Sequence, residues 1–200
     1  MNKQILKDTL ALVLITLVAA LCLSFVYEMT RDSIAAAAEA ERMNSYYLVY
    51  PDAASFREAD DLTDSYTASD PDVTVTSVLY ALDAAGNETG CALSVVTASG
   101  YGGEIELSLG LANDGTITGM KVTSMSETSG LGAHCQDESW QAQFVGIRAR
   151  EILFTKLGKS APNEIDAITS ATVTTNAVVE AVNGGLDFAR TVLGIGTEVQ

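Results

Sequence analysis

The stretch with the most chemical potential is Asp166-Ala167-Ile168-Thr169-Ser170-Ala171-Thr172-Val173-Thr174-Thr175. Five of the seven residues from Thr169 to Thr175 carry hydroxyls. They lead into a helical pattern from about Thr174 to Val192, with Ala177, Val178, Ala181, Val182 and Leu186 on one face. A helix start offers unpaired N–H groups and the positive end of the dipole, so it suits phosphate. Capping needs one hydroxyl, and it accounts for one of the five. The surplus favours an anion site.

Two glycine-rich segments could face such a site. In Ser126-Glu127-Thr128-Ser129-Gly130-Leu131-Gly132, two glycines flank a leucine. That arrangement holds an apolar side chain on exposed backbone, where it could pack on a planar aromatic ligand; a plain connecting loop has the same composition. Gly100-Tyr101-Gly102-Gly103 allows a tight turn or a close backbone approach, and an ordinary bulge explains it equally well. The single histidine, His134, has no companion ligands. Cys22, Cys91 and Cys135 form no CxxC or Cys/His cluster, which argues against a zinc or iron–sulfur site. Cys91 and Cys135 read as small buried residues, with pairing left open for an oxidising compartment. The chain has no GxGxxG after a strand, no P-loop and no GxSxG, so neither a nucleotide site nor a hydrolase is indicated.

The elements that must position these residues follow from periodicity. Residues 51–72 are acidic and polar and read as loop with short helical pieces. Val73, Val75, Ser77 and Leu79 then alternate with Thr74, Thr76, Val78 and Tyr80, a strand pattern. Cys91–Ala98 and Glu104–Leu111 follow as strands, and Asn113-Asp114-Gly115 is a hairpin signal before a partner strand over Thr116–Ser124. These strands predict an antiparallel meander of at least four. A helix is expected from about Asp137, with Trp140, Phe144 and Ile147 as its buried stripe. In the last helix, Gly184-Gly185 either bends the axis or allows close packing. Strands first and helices later predict an α+β fold rather than a doubly wound sheet.

Thr9 to Tyr27 is a run of 19 uncharged residues. At roughly 1.5 Å per residue it spans a hydrocarbon core. A signal peptide's apolar region is shorter, roughly 7–15 residues, so the run reads as an uncleaved anchor. Lys3 and Lys7 before it place the N-terminus in the cytoplasm and the domain outside. The Ala-rich, Gly- and Pro-free stretch after it predicts a connecting helix that lifts the domain off the membrane. The expected organisation is thus an anchor over 1–28, a connecting helix over 29–50 and one extracytoplasmic domain over 51–200. The chain's formal charge is −15; residues 1–27 carry +1 and the remainder −16. So acidic a domain repels phosphate backbones, which excludes nucleic acid as a partner.

Three segments together carry a family resemblance. Asp166-x-x-Thr169-Ser170-Ala171-Thr172 resembles the flavinylation motif of the FMN-binding domain family, Asp-x-x-(Ser/Thr)-Gly-Ala-Thr. Glu127-Thr128-Ser129-Gly130-Leu131-Gly132 resembles that family's Glu-Thr-Pro-Gly-Leu-Gly segment. Gly100–Gly103 and the anchor match in order and spacing. The chain is similar above all to the G-type subunits of Rnf ion-translocating ferredoxin:NAD oxidoreductases, and the C-type subunits of sodium-translocating NADH:quinone reductases are built alike.

The resemblance implies FMN held covalently on Thr172 by a phosphoester, delivered from FAD by a separate flavin transferase with magnesium. Thr172 is then an attachment point and not a catalytic group, and no metal is resident. Asp166, Thr169, Ser170, Ala171, Thr174 and Thr175 would shape the attachment loop. Glu127, Thr128, Gly130, Leu131 and Gly132 would lie against the isoalloxazine. The chain would be a non-autonomous electron-transfer flavoprotein that works with the other subunits of a membrane complex. The alternatives are the corresponding subunit of a sodium-translocating NADH:quinone reductase, or a membrane-tethered extracytoplasmic binding module without flavin. Two residues depart from the motifs: Ser129 stands for Pro, and Ser170 for a Gly. If that glycine position needs a positive φ, a serine there costs on the order of 1 kcal/mol.

Overall fold

The computed structural model describes residues 3–59, 62 and 70–197. Two compact units emerge, Met1–Arg42 and Met43–Gln200.

The first unit is part of one unbroken helix, α1 (Lys3–Val49), which contains both the predicted anchor and the connecting helix. Its best 18-residue window has a mean hydropathy of 2.7 and none of it is buried, so it is long and apolar enough to cross a membrane. The Thr9 and Thr16 hydroxyls donate back to the carbonyls of Ile5 (2.8 Å) and Leu12 (3.1 Å). This satisfies two polar groups that lipid could not.

The second unit is built on a five-stranded antiparallel meander, β1 (Ser55–Glu58), β2 (Val73–Leu82), β3 (Glu88–Thr97), β4 (Ile105–Ala112) and β5 (Ile117–Met125), in that spatial order. The predicted α+β class holds, with one more strand than the expected minimum. The extra strand is β1, inside the stretch read as loop; it pairs with β2 from Ser55↔Leu82 to Glu58↔Leu79. Its four residues are too few to show a period. The rest of that reading, at 60–61 and 63–69, lies outside the described residues.

The predicted alternation in β2 also shifts. The pairing with β3 skips a step between Val75 and Ser77, so Thr76 is a bulge and the faces exchange there. Val73, Val75 and then Val78 enter the main core, whereas Leu79 joins Tyr46, Val49 and Ala92 on the opposite face. On that opposite face the last turn of α1 is fastened by three hydroxyls. Ser45 Oγ lies 2.8 Å from Ser108 Oγ, the Tyr46 hydroxyl lies 2.8 Å from Ser94 Oγ, and Thr118 Oγ1 donates to the Val49 carbonyl at 2.7 Å.

The main core lies between the sheet and α3 (Thr172–Thr191). Ala177, Val178, Ala181, Val182 and Leu186 are all buried there, as their spacing predicts. Burying each Val or Leu contributes about 1.5–3 kcal/mol. Gly184 and Gly185 do not break the helix. A side chain there would press on Val73 and on Leu109, so both glycines serve close packing.

The helix expected from Asp137 shrinks to α2 (Glu138–Gln141) and a 3-10 turn over Ala142–Phe144. Val145 is extended and Gly146 takes φ +82°, which ends the helix before Ile147. The stripe still reaches the core: Trp140, Phe144 and Ile147 are buried, with the first two rings edge-on at 5.4 Å. A short parallel pair, β6 (Leu153–Thr155) and β7 (Glu164–Asp166), completes the domain and delivers the chain to the hydroxyl-rich segment.

Candidate functional site

Three loops converge at the N-terminus of α3. They line a recess of about 470 Å³ with Tyr101, Glu127–Thr128, Leu131–Gly132 and Ser170–Thr174. The volume falls within the range of small-molecule pockets, roughly 300–1,000 Å³. So all three segments singled out in the sequence contribute to one hollow.

Glu127 joins them. It is only 8% exposed. Its Oε1 accepts the Gly102 N–H at 2.9 Å, and its Oε2 accepts the Thr174 hydroxyl at 2.5 Å. One buried carboxylate thus ties the first glycine loop, its own loop and the first turn of α3. Two glycines make room for it. A Cβ on Gly102 would strike the Ser126 carbonyl, and one on Gly132 would strike Glu127 Oε2 and Thr174 Oγ1.

The hydroxyls of the α3 start have different employments. Thr175 Oγ1 accepts the Ile168 N–H at 3.0 Å and donates to the Ala171 carbonyl at 2.9 Å, fully buried. Thr174 is engaged with Glu127. The Thr172 hydroxyl, partly exposed on the recess wall, has no protein hydrogen-bond partner among the described residues. The expected capping by one of these hydroxyls does not occur. Ala171 occupies the N-cap and no side chain caps the helix; Thr175 braces the preceding turn from below. The N–H groups of Thr172, Val173 and Thr174 therefore have no intrahelical acceptor and remain available to an anion.

Ser170 has φ +62°, the only positive φ at a non-glycine among the described residues. The motif's glycine position thus does require the left-handed region, and serine there costs about 1–2 kcal/mol.

Apolar surface surrounds this polar floor. Tyr101 is 72% exposed, Val173 51% and Leu131 43%, all on the recess wall. Tyr101 was visible as part of a glycine-rich loop but carried no signal that it lines a site. Gly130 (φ +77°), Thr169, Thr175 and Asp166 do not line the recess. Asp166 is held elsewhere: its N–H donates to Gln143 Oε1, its carbonyl accepts from Trp140 Nε1, and its Oδ1 accepts the Lys159 N–H, each at 2.8 Å.

Cys135, behind the recess, has its thiol pushed up to about 11 by burial and then by the Glu127 charge; burial alone takes Cys91 to about 12. Both are free and buried thiols, unsuited to nucleophilic work at neutral pH. His134 is exposed and pairs with Asp137 at 2.8 Å. Among the described residues no group of three or more His, Cys, Asp or Glu could hold a metal.

Comparison with known proteins gives the family of the chain. Residues 100–187 match the FMN-binding domain model, and residues 1–49 match the RnfG N-terminal region. The chain is 32% identical to the G-type subunit of the ion-translocating oxidoreductase complex of Methanosarcina acetivorans, over 94% of this chain and 95% of that protein. It is also 32% identical to the corresponding G-type protein of Cereibacter sphaeroides, covering 90% and 82% of the two chains. In fold it is similar to the crystal structure of Shewanella oneidensis NqrC (TM-score 0.57, 15% identity, 77% of this chain and 95% of that one). By its match along nearly the whole of the Methanosarcina acetivorans protein, the chain belongs to the family of G-type subunits of ion-translocating oxidoreductase complexes.

Proposed function

We propose that this chain is the flavin-carrying electron-transfer subunit of an Rnf-type ion-translocating ferredoxin:NAD oxidoreductase complex. FMN is joined through its phosphate to Thr172, and the domain faces the extracytoplasmic side. The observation that carries this reading is the contrast among the threonines of one helical turn. Thr174 and Thr175 have their hydroxyls committed, while Thr172 presents a free hydroxyl on the recess wall. Two relatives support the class of complex: the G-type subunits of a sodium-translocating ferredoxin:NAD oxidoreductase in Acetobacterium woodii and of a proton-translocating one in Clostridium ljungdahlii.

The residues present fit the group. The N–H groups of Thr172, Val173 and Thr174 suit a phosphate ester. The Glu127 oxygens are turned onto the Gly102 N–H and the Thr174 hydroxyl, so they do not occupy the N–H groups at the start of α3. Tyr101, Leu131 and Val173 offer apolar surface to a planar ring. Once bound, the flavin supplies one-electron chemistry, its potential tuned by the surrounding hydrogen bonds and charge. Attachment through phosphate leaves the ring free of covalent bonds. The protein's part is to hold, orient and shield it.

The test is co-expression of the chain with a flavin transferase, followed by mass analysis of the peptide containing Thr172. A mass increase of one FMN less one water is expected, retained in Ser170→Ala and absent in Thr172→Ala. An unmodified Thr172 in the presence of active transferase would sink the reading, and would favour a tethered binding module in its place. Modification that follows Ser170 would move the acceptor by two residues.

A further inference from the structure

The cations of this acidic domain are gathered at one place. Residues 43–200 contain seven, Arg57, Lys121, Arg148, Arg150, Lys156, Lys159 and Arg190, against 21 acids. Four of the seven fall between 148 and 159, where Glu151 is the sole acid. Arg148, Arg150 and Lys159 stand around a second recess, about 770 Å³, with Glu151 as the one acid on its wall. Arg148 has a loose, exposed partner in Asp114 at 3.8 Å. Arg150, Lys156 and Lys159 form no ion pair among the described residues.

Beside this recess is an anomaly. Leu157 is 97% exposed, between Lys156 and Lys159, and Leu153 and Val145 nearby are about half exposed. A leucine fully in water on a loop is commonly excused by mobility, but this loop is pinned. Thr155 Oγ1 accepts the Leu157 N–H at 3.2 Å, and Asp166 Oδ1 accepts that of Lys159 at 2.8 Å. Glu164 Oε2 accepts the N–H groups of Ser160 (2.7 Å) and Ala161 (3.1 Å) and the Ser160 hydroxyl (3.0 Å). The loop is thus ordered before anything binds it, which lowers the entropy lost on association.

We infer that the edge formed by Arg148, Arg150, Lys156, Leu157 and Lys159 docks on an acidic protein surface that presents carboxylates around a shallow apolar pocket for Leu157. The partner is another subunit of the same complex, so the inference rests on the function proposed above. Charge complementarity argues for protein. The remainder of residues 43–200 is strongly acidic and is repelled by an anionic lipid surface, whereas an acidic protein can match this edge alone. The edge also lies next to the flavin segment in the chain, since Asp166 pins Lys159 and precedes Thr172 by six residues.

The experiment co-expresses the chain with its neighbouring subunits and the flavin transferase. The complex is purified through a tag on another subunit, and both retention of this chain and its flavin content are measured. The wild-type chain should be retained at low salt and progressively lost as salt rises. Lys156→Glu/Lys159→Glu should weaken retention about tenfold or more, and Leu157→Ser should weaken it without changing the salt dependence. Flavin content should stay at the wild-type level in both, because the three side chains are exposed and away from the recess at Thr172. Retention of the charge-reversed chain at the wild-type level would overturn the inference. So would unchanged retention combined with loss of binding to vesicles of phosphatidylglycerol, which would assign the edge to lipid. Absence of flavin from the wild-type chain would count against the proposed cofactor and leave the retention comparison readable.

Discussion

Two recesses of the domain are built on opposite principles. The one at Thr172 is lined by apolar and hydroxyl side chains, with its single carboxylate hydrogen-bonded through both oxygens to Gly102 and Thr174. The one at Arg148 and Lys159 is lined by charge that reaches into water. The first suits the cofactor attachment proposed above: its apolar wall is exposed and its polar floor is organised by buried bonds. The second is suited to contacts that form and break, since exposed charges gain little in water and are screened by salt. Such a division would suit the cofactor attachment and the docking edge proposed above.

Several changes should separate the two. The largest expected effect is from Glu127→Ala, which leaves the Gly102 N–H and the Thr174 hydroxyl without their buried acceptor. A loss of about 2–4 kcal/mol is expected, read as a lower denaturant midpoint for the full chain in detergent, together with poor flavin loading. A midpoint unchanged by this substitution would mean that the three loops are held by something else. Gly132→Ala should come next, at about 1–3 kcal/mol, because its Cβ collides with the same carboxylate and with Thr174 Oγ1. Neither change should alter the salt dependence at the basic edge.

Ser170→Gly should act in the other direction. Relief of the left-handed backbone outweighs the added freedom of the unfolded chain by about 0.5–1 kcal/mol, and the midpoint should rise slightly. If it falls, the serine makes a compensating interaction. The subtlest effect belongs to the edge. The N–H groups and hydroxyl that Glu164 accepts from Ser160 and Ala161 hold its carboxyl below the ordinary glutamate value of 4.5. A lowered folded-state value means that the bonds are at full strength above the unfolded value and are lost as pH falls through the folded one. Protection of the Ser160 and Ala161 amides, taken relative to their intrinsic exchange rate at each pH, should therefore fall as pH drops through the lowered Glu164 value.

What the sequence could reveal divides along similar lines. The Asn113-Asp114-Gly115 hairpin, the inward face of α3 and the anchor are local patterns, and each was legible. The bulge at Thr76 was not, because alternation in β2 continues on either side of it and only pairing with β3 shows the slip. The length of the Trp140 helix depended on the positive φ of Gly146, which one isolated glycine does not announce. At the site, the motifs identified Thr172 and the glycine loops as members. They could not show that Glu127 binds them together, because its partners lie 25 and 47 residues away. Nor could they show that the Asp166 carboxylate is directed toward Lys159 rather than toward the recess.

Asp166 has a consequence for the speed of electron transfer. Its N–H, its carbonyl and its carboxylate are each bonded to a different part of the domain, at Gln143, Trp140 and Lys159. Tunnelling rates fall exponentially with separation, so a cofactor on a loosely held segment would sample a wide spread of rates. Three restraints on one residue narrow that spread. With the proposed attachment at Thr172 and the inferred docking beside Lys159, the gap between the two would be fixed by a short, braced piece of chain, as the span of a bridge is fixed by its abutments.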